Sequence, residues 1–168
     1  MEVKKPKRLD VKSLNIINSR LVDEYTAHFF YREATNWCDN MGYVSAARYF
    51  EKEANDEMIH AQGLQTFATD HNVMPKLPII KQIESFTSLV DIFNKQYEIE
   101  FDLGKEYQAN MSEAKEDGNM YLFNLLQKYV QIQDESIVET STRLNKLSLI
   151  DVNDKSWLYN FQLEEFEN

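Results

Sequence analysis

Residues 44–71 read VSAARYFEKEANDEMIHAQGLQTFATDH, a stretch with no proline and a single glycine, Gly63. Within it Phe50, Ala54, Glu57, Ala61, Leu64 and Ala68 recur at alternating spacings of four and three, which places them along one face of a helix about 40 Å long. Every member of that row is apolar or small except Glu57, at its middle, and His60 follows one turn later on the same side. A helix with an apolar stripe needs partners to cover it, and a carboxylate at the centre of the stripe needs a chemical reason to be there.

The rest of the chain supplies the partners. Its 168 residues suit one domain with a sizeable core. Four Gly and three Pro fall well short of the roughly 20 expected from average usage, so the turns of an all-β protein are missing. Punctuation at Asp39–Gly42, Pro75–Pro78, Asp117-Gly118 and Asp151–Asp154, with a capping pattern at Ser88 and Asp91, predicts helices over 12–39, 44–71, 88–116, 119–147 and 154–166. The first has the row Ile17, Leu21, Glu24, His28, Tyr31, Thr35, Cys38. The third has Phe93, Tyr97, Glu100, Gly104, Tyr107, Met111, and the fourth Phe123, Leu126, Val130, Gln133, Ile137, Thr140, Leu144, Leu147. Four long helices with heptad-like seams make an all-α four-helix bundle. Short links make the first and second, and the third and fourth, antiparallel neighbours. The long link between the second and third suits a crossover along the whole bundle. A short fifth helix closes a domain spanning 12–168, behind a flexible basic arm over 1–11.

Composition narrows the function. With 18 basic against 28 acidic residues and a net charge of −10, the chain is a poor match for a nucleic-acid backbone. No apolar run reaches the length that spans a bilayer. Cys38, the single cysteine, has no partner for an internal disulfide, so a cytoplasmic setting is expected.

The polar members of the four seams fall at one level: Glu24, Glu57, Glu100 and Gln133. Three carboxylates buried together cost several kcal/mol per ion unless protons are shared or cations are bound. His60 adds a neutral nitrogen ligand to the same level. Hard oxygen donors with one imidazole suit iron or manganese better than structural zinc, with iron preferred. A Glu-x-x-His pair alone is weak evidence; the coincidence of four polar positions at one height is what favours a site. Carboxylate-bridged two-metal bundles have this layout.

Several segments carry a closer likeness. Glu24-Tyr25 through Tyr31, Asn36-Trp37-Cys38, Glu57-Met58-Ile59-His60, Tyr97 to Glu100, Phe123 to Gln127 with Tyr129, and the tail Trp157 to Phe161 together resemble the ferritins, specifically the non-haem bacterial type. The resemblance implies a ferritin-like bundle assembled as a homo-oligomeric cage of 24 subunits. Such a cage oxidises Fe(II) with dioxygen or peroxide and stores a ferric mineral. It further implies that Glu24, Glu57 and His60 hold one iron, that Glu57 bridges and Glu100 holds the second. Gln133 then orders a water or the oxidant, and Tyr31 supplies a hydrogen bond or an electron beside the centre.

Two departures from that pattern bear on mechanism. Many bacterial ferritins bind a third iron through a Glu three residues after the glutamine; Ser136 stands there, Ile132 replaces another acid, and only Asp56 and Glu135 remain. A two-iron centre with a weak second site and little or no third site is therefore expected. The stretch that would line three-fold pores presents Phe123 and Leu126, which predicts an apolar pore. A cage with impaired oxidation, acting as an iron-binding shell, is the alternative. Oxygenase, rubrerythrin and bacterioferritin readings are disfavoured because the fourth helix lacks a second Glu-x-x-His. His28 is expected to be a hydrogen-bonded packing residue and His71 a favourable charge at a helix C-terminus.

Overall fold

Four helix starts are set by short polar side chains that accept from backbone N–H groups with no partner of their own. Asp10 accepts from Ser13 at 2.7 Å at the head of α1, Val11–Met41. Ser88 accepts from Asp91 at 3.0 Å at the head of α3, Leu89–Glu116. Asn119 serves α4, Met120–Leu147, and Asp154 serves α5, Lys155–Phe166. The Asp91 carboxylate answers Ser88 by accepting from the Thr87 N–H at 3.0 Å, so the predicted capping pattern is present with its return bond one residue earlier. α2, Val44–Asp70, has no side-chain cap of its own. It follows α1 through Gly42, whose φ of 84° is open to glycine at little cost.

This computed structural model describes residues 4–81 and 85–167, and among them the five helices are accompanied by no strand. Positions 1–3 of the expected arm, 82–84 of the long link and position 168 lie outside the described residues. All five predicted helices are present, with ends within two residues of expectation. α1 packs along α2, and α3 along α4. The pairings Tyr31 with Glu100 and Tyr107 with Glu24 make α1 and α3 antiparallel, so α2 and α3 run the same way. Their connection must cross the full bundle. Part of it lies along α1, where Asn18 accepts from the Lys76 N–H at 2.8 Å.

α5 completes α2. The Gln162 amide oxygen, fully buried, accepts from the Ala46 N–H at 3.0 Å, and the Ser45 hydroxyl donates to Glu167 at 2.7 Å. The cap absent from the chain just before α2 is thus supplied by α5. At the other end the basic arm is docked rather than free from Pro6 to Leu9. The Arg8 N–H donates to the His71 carbonyl at 2.9 Å, Asn72 donates to the Pro6 carbonyl at 2.8 Å, and Leu9 is buried.

The buried rows differ from the predicted seams in α3 and α4. Gln96 is buried where Tyr97 was expected, and Leu122, Tyr129 and Arg143 replace Phe123, Val130 and Leu144, which are half-buried. A straight helix drifts about 20° per heptad from a strict 3.5-residue row, so the core-facing position slides to a neighbour over several turns. Leu126 carries the largest functional consequence. Expected at a pore, it has 0% exposure within a single chain and belongs to the core with Leu122, Tyr107 and Leu64. A residue buried inside its own bundle cannot line a channel between subunits. Leu126→Asp is accordingly expected to lower stability by about 3 kcal/mol or more through an unpaired buried carboxylate, read as a fall in thermal unfolding temperature.

Candidate metal centre

All six predicted site residues meet at mid-height. Glu24 and Tyr31 come from α1, Glu57 and His60 from α2, Glu100 from α3 and Gln133 from α4. His60 is partly exposed and the other five are buried. Beside Gln133, Gly104 of α3 leaves room for the Ile137 side chain of α4, whose Cδ1 would lie 2.8 Å from a Cβ at residue 104.

Two halves of unequal character result. In the first, Glu24, Glu57 and His60 offer ligand atoms that all lie within 4.8 Å of one another. His60 Nδ1 is 3.1 Å from Glu57 Oε2 and 3.5 Å from Glu24 Oε2. Glu24 Oε1 accepts from the Tyr107 hydroxyl, while its Oε2 is buried without a hydrogen bond. A carboxylate oxygen left over in the core is what a cation ligand looks like, and the donor set of two carboxylates and an imidazole fits a divalent transition metal. In the second half both Glu100 oxygens are engaged: Oε1 by the Tyr31 hydroxyl and Oε2 by Gln133 Nε2 at 2.7 Å.

The electrostatics follow from burial. Desolvation pushes the Glu57 carboxyl well above its ordinary range, partly offset by the hydrogen bond from His60, and the nearby Glu24 and Glu100 charges add to the rise. Glu100 is raised for the same reason, against hydrogen bonds from Tyr31 and Gln133. Burial opposes an imidazolium at His60, but the close Glu24 and Glu57 carboxylates outweigh it and carry its pKa up to about 10. Protons therefore occupy the place a cation would neutralise.

Tyr107 was absent from the predicted site. Its hydroxyl bonds Glu24 from α3 as Tyr31 bonds Glu100 from α1, and its ring stacks on Tyr129 at 5.0 Å, whose hydroxyl donates to the His60 carbonyl at 2.7 Å. A signal existed in the shared spacing: Tyr31 lies seven residues after Glu24, and Tyr107 seven after Glu100. His28 is a packing histidine, with Nδ1 2.6 Å from the Ala54 carbonyl oxygen. His71 is buried at the end of α2, Nδ1 2.8 Å from the Phe67 carbonyl oxygen, and packs on the Phe67 ring. Asp56 and Glu135 do not join the cluster; Asp56 instead pairs with Lys52 at 3.0 Å and Glu135 is exposed.

With that geometry in hand, residues 14–150 match the family model of the ferritin-like domain. The chain belongs to the ferritin family. A bacterial non-heme ferritin of Campylobacter jejuni is 27% identical over 143 residues, covering 84% of this chain and 86% of the relative. A probable bacterial non-heme ferritin-like protein of Haemophilus influenzae is 26% identical over 141 residues, covering 82% and 84%. In fold, the chain is similar to an open-pore ferritin of the hyperthermophilic archaeon Archaeoglobus fulgidus, with a TM-score of 0.89 at 22% identity over 96% of this chain and 98% of that one. Ferritin membership supports iron storage in the broad sense. Among the described residues no helix is long and apolar enough to cross a membrane.

The raised pKa values carry a sign. The folded state favours protonated His60, so the stability this contributes is complete below its ordinary pKa of 6.5 and is lost as pH rises to about 10; the raised Glu57 acts in the same direction from its ordinary 4.5 upward. The metal-free protein is expected to unfold at progressively lower temperature between pH 6.5 and 10, and His60→Ala to flatten that slope. An unfolding temperature that is constant or rises over this interval in the unaltered protein would contradict the assignment.

Proposed function

We propose that this chain is a ferroxidase subunit of an iron-storing cage, with two Fe(II) ions as substrate at the mid-bundle centre. The observation that carries the reading is the group of buried Glu24 and Glu57 with half-buried His60, where one Glu24 oxygen has no hydrogen-bond partner. Glu24, Glu57 and His60 would hold the first iron, Glu57 would bridge, and Glu100 would take the second. Carboxylates suit the task because they stabilise the ferric state and can shift between terminal and bridging positions. Each Fe(II) gives up one electron. Dioxygen accepts the pair with two protons and becomes hydrogen peroxide, or peroxide accepts it with two protons and becomes two waters.

The residues around the centre assign further roles. Tyr31 and Gln133 hold one Glu100 oxygen each before iron arrives, and a second ion would compete with those hydrogen bonds for them. That competition supports a second site weaker than the first. Gln133 would then orient a water or the oxidant, and Tyr31 would supply a hydrogen bond or an electron. Ser136, Ile132 and the outward pairing of Asp56 favour little or no third site. The same occupied Glu100 favours, as a second reading, a cage that binds iron but oxidises it poorly.

Air oxidation of Fe(II) by the purified protein, beside a variant carrying Glu57→Ala and His60→Ala, tests the proposal. The unaltered protein is expected to run well above background and the variant to fall to it; equal rates would remove the ferroxidase reading and leave the binding shell. The assembly is expected to elute at about 480 kDa, 24 copies of a 19.9 kDa chain, whereas a persistent monomer or dimer would end the storage proposal. Anomalous scattering from iron-soaked crystals should give two peaks per subunit, and a fully occupied third peak would overturn the two-site assignment.

A further inference from the structure

Behind the Glu100 half of the centre lies a second buried polar group that metal binding does not explain. Arg143, on α4, is 2% exposed. Its Nη1 donates to the Gln96 amide oxygen at 3.2 Å and to the Tyr49 hydroxyl at 3.1 Å, and its Nη2 donates to Glu139 at 2.6 Å. The guanidinium lies against the rings of Tyr49, at 4.5 Å, and of Phe166 in α5, at 5.0 Å. Gln96 in turn donates through Nε2 to the Tyr49 hydroxyl at 2.8 Å and to the Tyr31 hydroxyl at 3.3 Å. Tyr31 donates to Glu100.

The chemistry of these groups makes the chain directional. A guanidinium has donors and no acceptor, so the Gln96 amide must present its oxygen to Arg143. Its nitrogen is then turned toward the two tyrosines. A hydroxyl has one proton, and Tyr31, which receives a hydrogen bond from Gln96, is left to aim that proton at Glu100. With the amide reversed, two donors would face each other at Arg143 and Tyr31 would be offered a competing acceptor.

We propose that Arg143 and Gln96 form a positioning relay, steadied by Tyr49, which fixes the Tyr31 hydroxyl as a donor to Glu100 and so shapes the second metal position. Neither residue touches the metal cluster itself. The relay rests on the two-iron reading for its consequence at the metal, but its effect on Tyr31 can be read without any metal. Because Phe166 and Glu165 of α5 also contact Arg143, the relay joins the fifth helix to the centre.

The test uses the assembled full-length protein and two readouts. Ultraviolet resonance Raman of the metal-free protein reports the donor or acceptor state of tyrosine hydroxyls, and subtraction of a Tyr31→Phe spectrum isolates Tyr31. Arg143→Met, which lies one residue removed from Tyr31 in the relay, is expected to change that difference spectrum, and Arg143→Lys, which keeps a donor toward Gln96, to restore it in part. Cobalt(II) calorimetry is expected to show affinity at the weaker site falling about tenfold in Arg143→Met while the tighter site holds. If Arg143→Met does not assemble, Gln96→Glu takes its place: it keeps a partner for Arg143 but offers Tyr31 only acceptors, so Tyr31 must cease to accept. An unchanged Tyr31 spectrum in the variant that assembles would overturn the relay, as would equal weakening of both cobalt sites. Should the unaltered protein bind no cobalt at either site, the two-metal reading falls while the Raman result still decides the relay.

Discussion

Three carboxylates sit at one height in the core of a bundle whose other inward positions are largely apolar, and the surrounding structure is arranged to make that tolerable. Isolated charges there would each cost several kcal/mol. The folded chain spreads the cost over defined partners: Tyr107 on Glu24, His60 on Glu57, Tyr31 and Gln133 on Glu100. What remains unsatisfied is one oxygen of Glu24 on the side facing Glu57 and His60.

The two halves of the bundle answer this constraint in parallel and then diverge. α1 and α3 each carry a glutamate followed seven residues later by a tyrosine, and each tyrosine crosses to the glutamate of the other helix. α2 and α4 break the correspondence, with Glu57 and His60 on one and Gln133 and Ser136 on the other. A carboxylate and an imidazole bind a cation; an amide and a hydroxyl hold a carboxylate or a water. The chemical inequality of the two halves of the cluster is therefore a difference between two helices of one scaffold. On the proposed reading, iron would be held more tightly where the donors are free than where they already have partners.

The short fifth helix serves more than the end of the chain. Its Gln162 amide oxygen accepts from the Ala46 N–H at the uncapped start of α2, and its Phe166 and Glu165 lie beside Arg143. A buried guanidinium needs most of its donors engaged, and here Glu139, Gln96 and Tyr49 engage both terminal nitrogens while Nε faces Glu165 at 3.6 Å. Their geometry passes inward to Tyr31. Packing of the fifth helix and orientation of the Tyr31 hydroxyl beside Glu100 are in this way parts of one hydrogen-bonded structure.

Much of this was legible before any coordinates. Helix number, helix ends, the capping at Ser88 and the common height of Glu24, Glu57, Glu100 and Gln133 depend on local spacing and on caps a few residues away, so the sequence by itself determined them. Rotation of each helix about its own axis is another matter. It placed Gln96 rather than Tyr97 in the core, withdrew Leu126 from any pore, and buried Arg143 where Leu144 was expected. The bonds from Tyr107 to Glu24 and from Arg143 to Gln96 join residues 83 and 47 positions apart. Only the tertiary structure decided these, because a side chain's partner across a bundle is set by the packing of three other helices; the spacing of Tyr107 after Glu100 could mark it as a site residue but not name Glu24 as its partner.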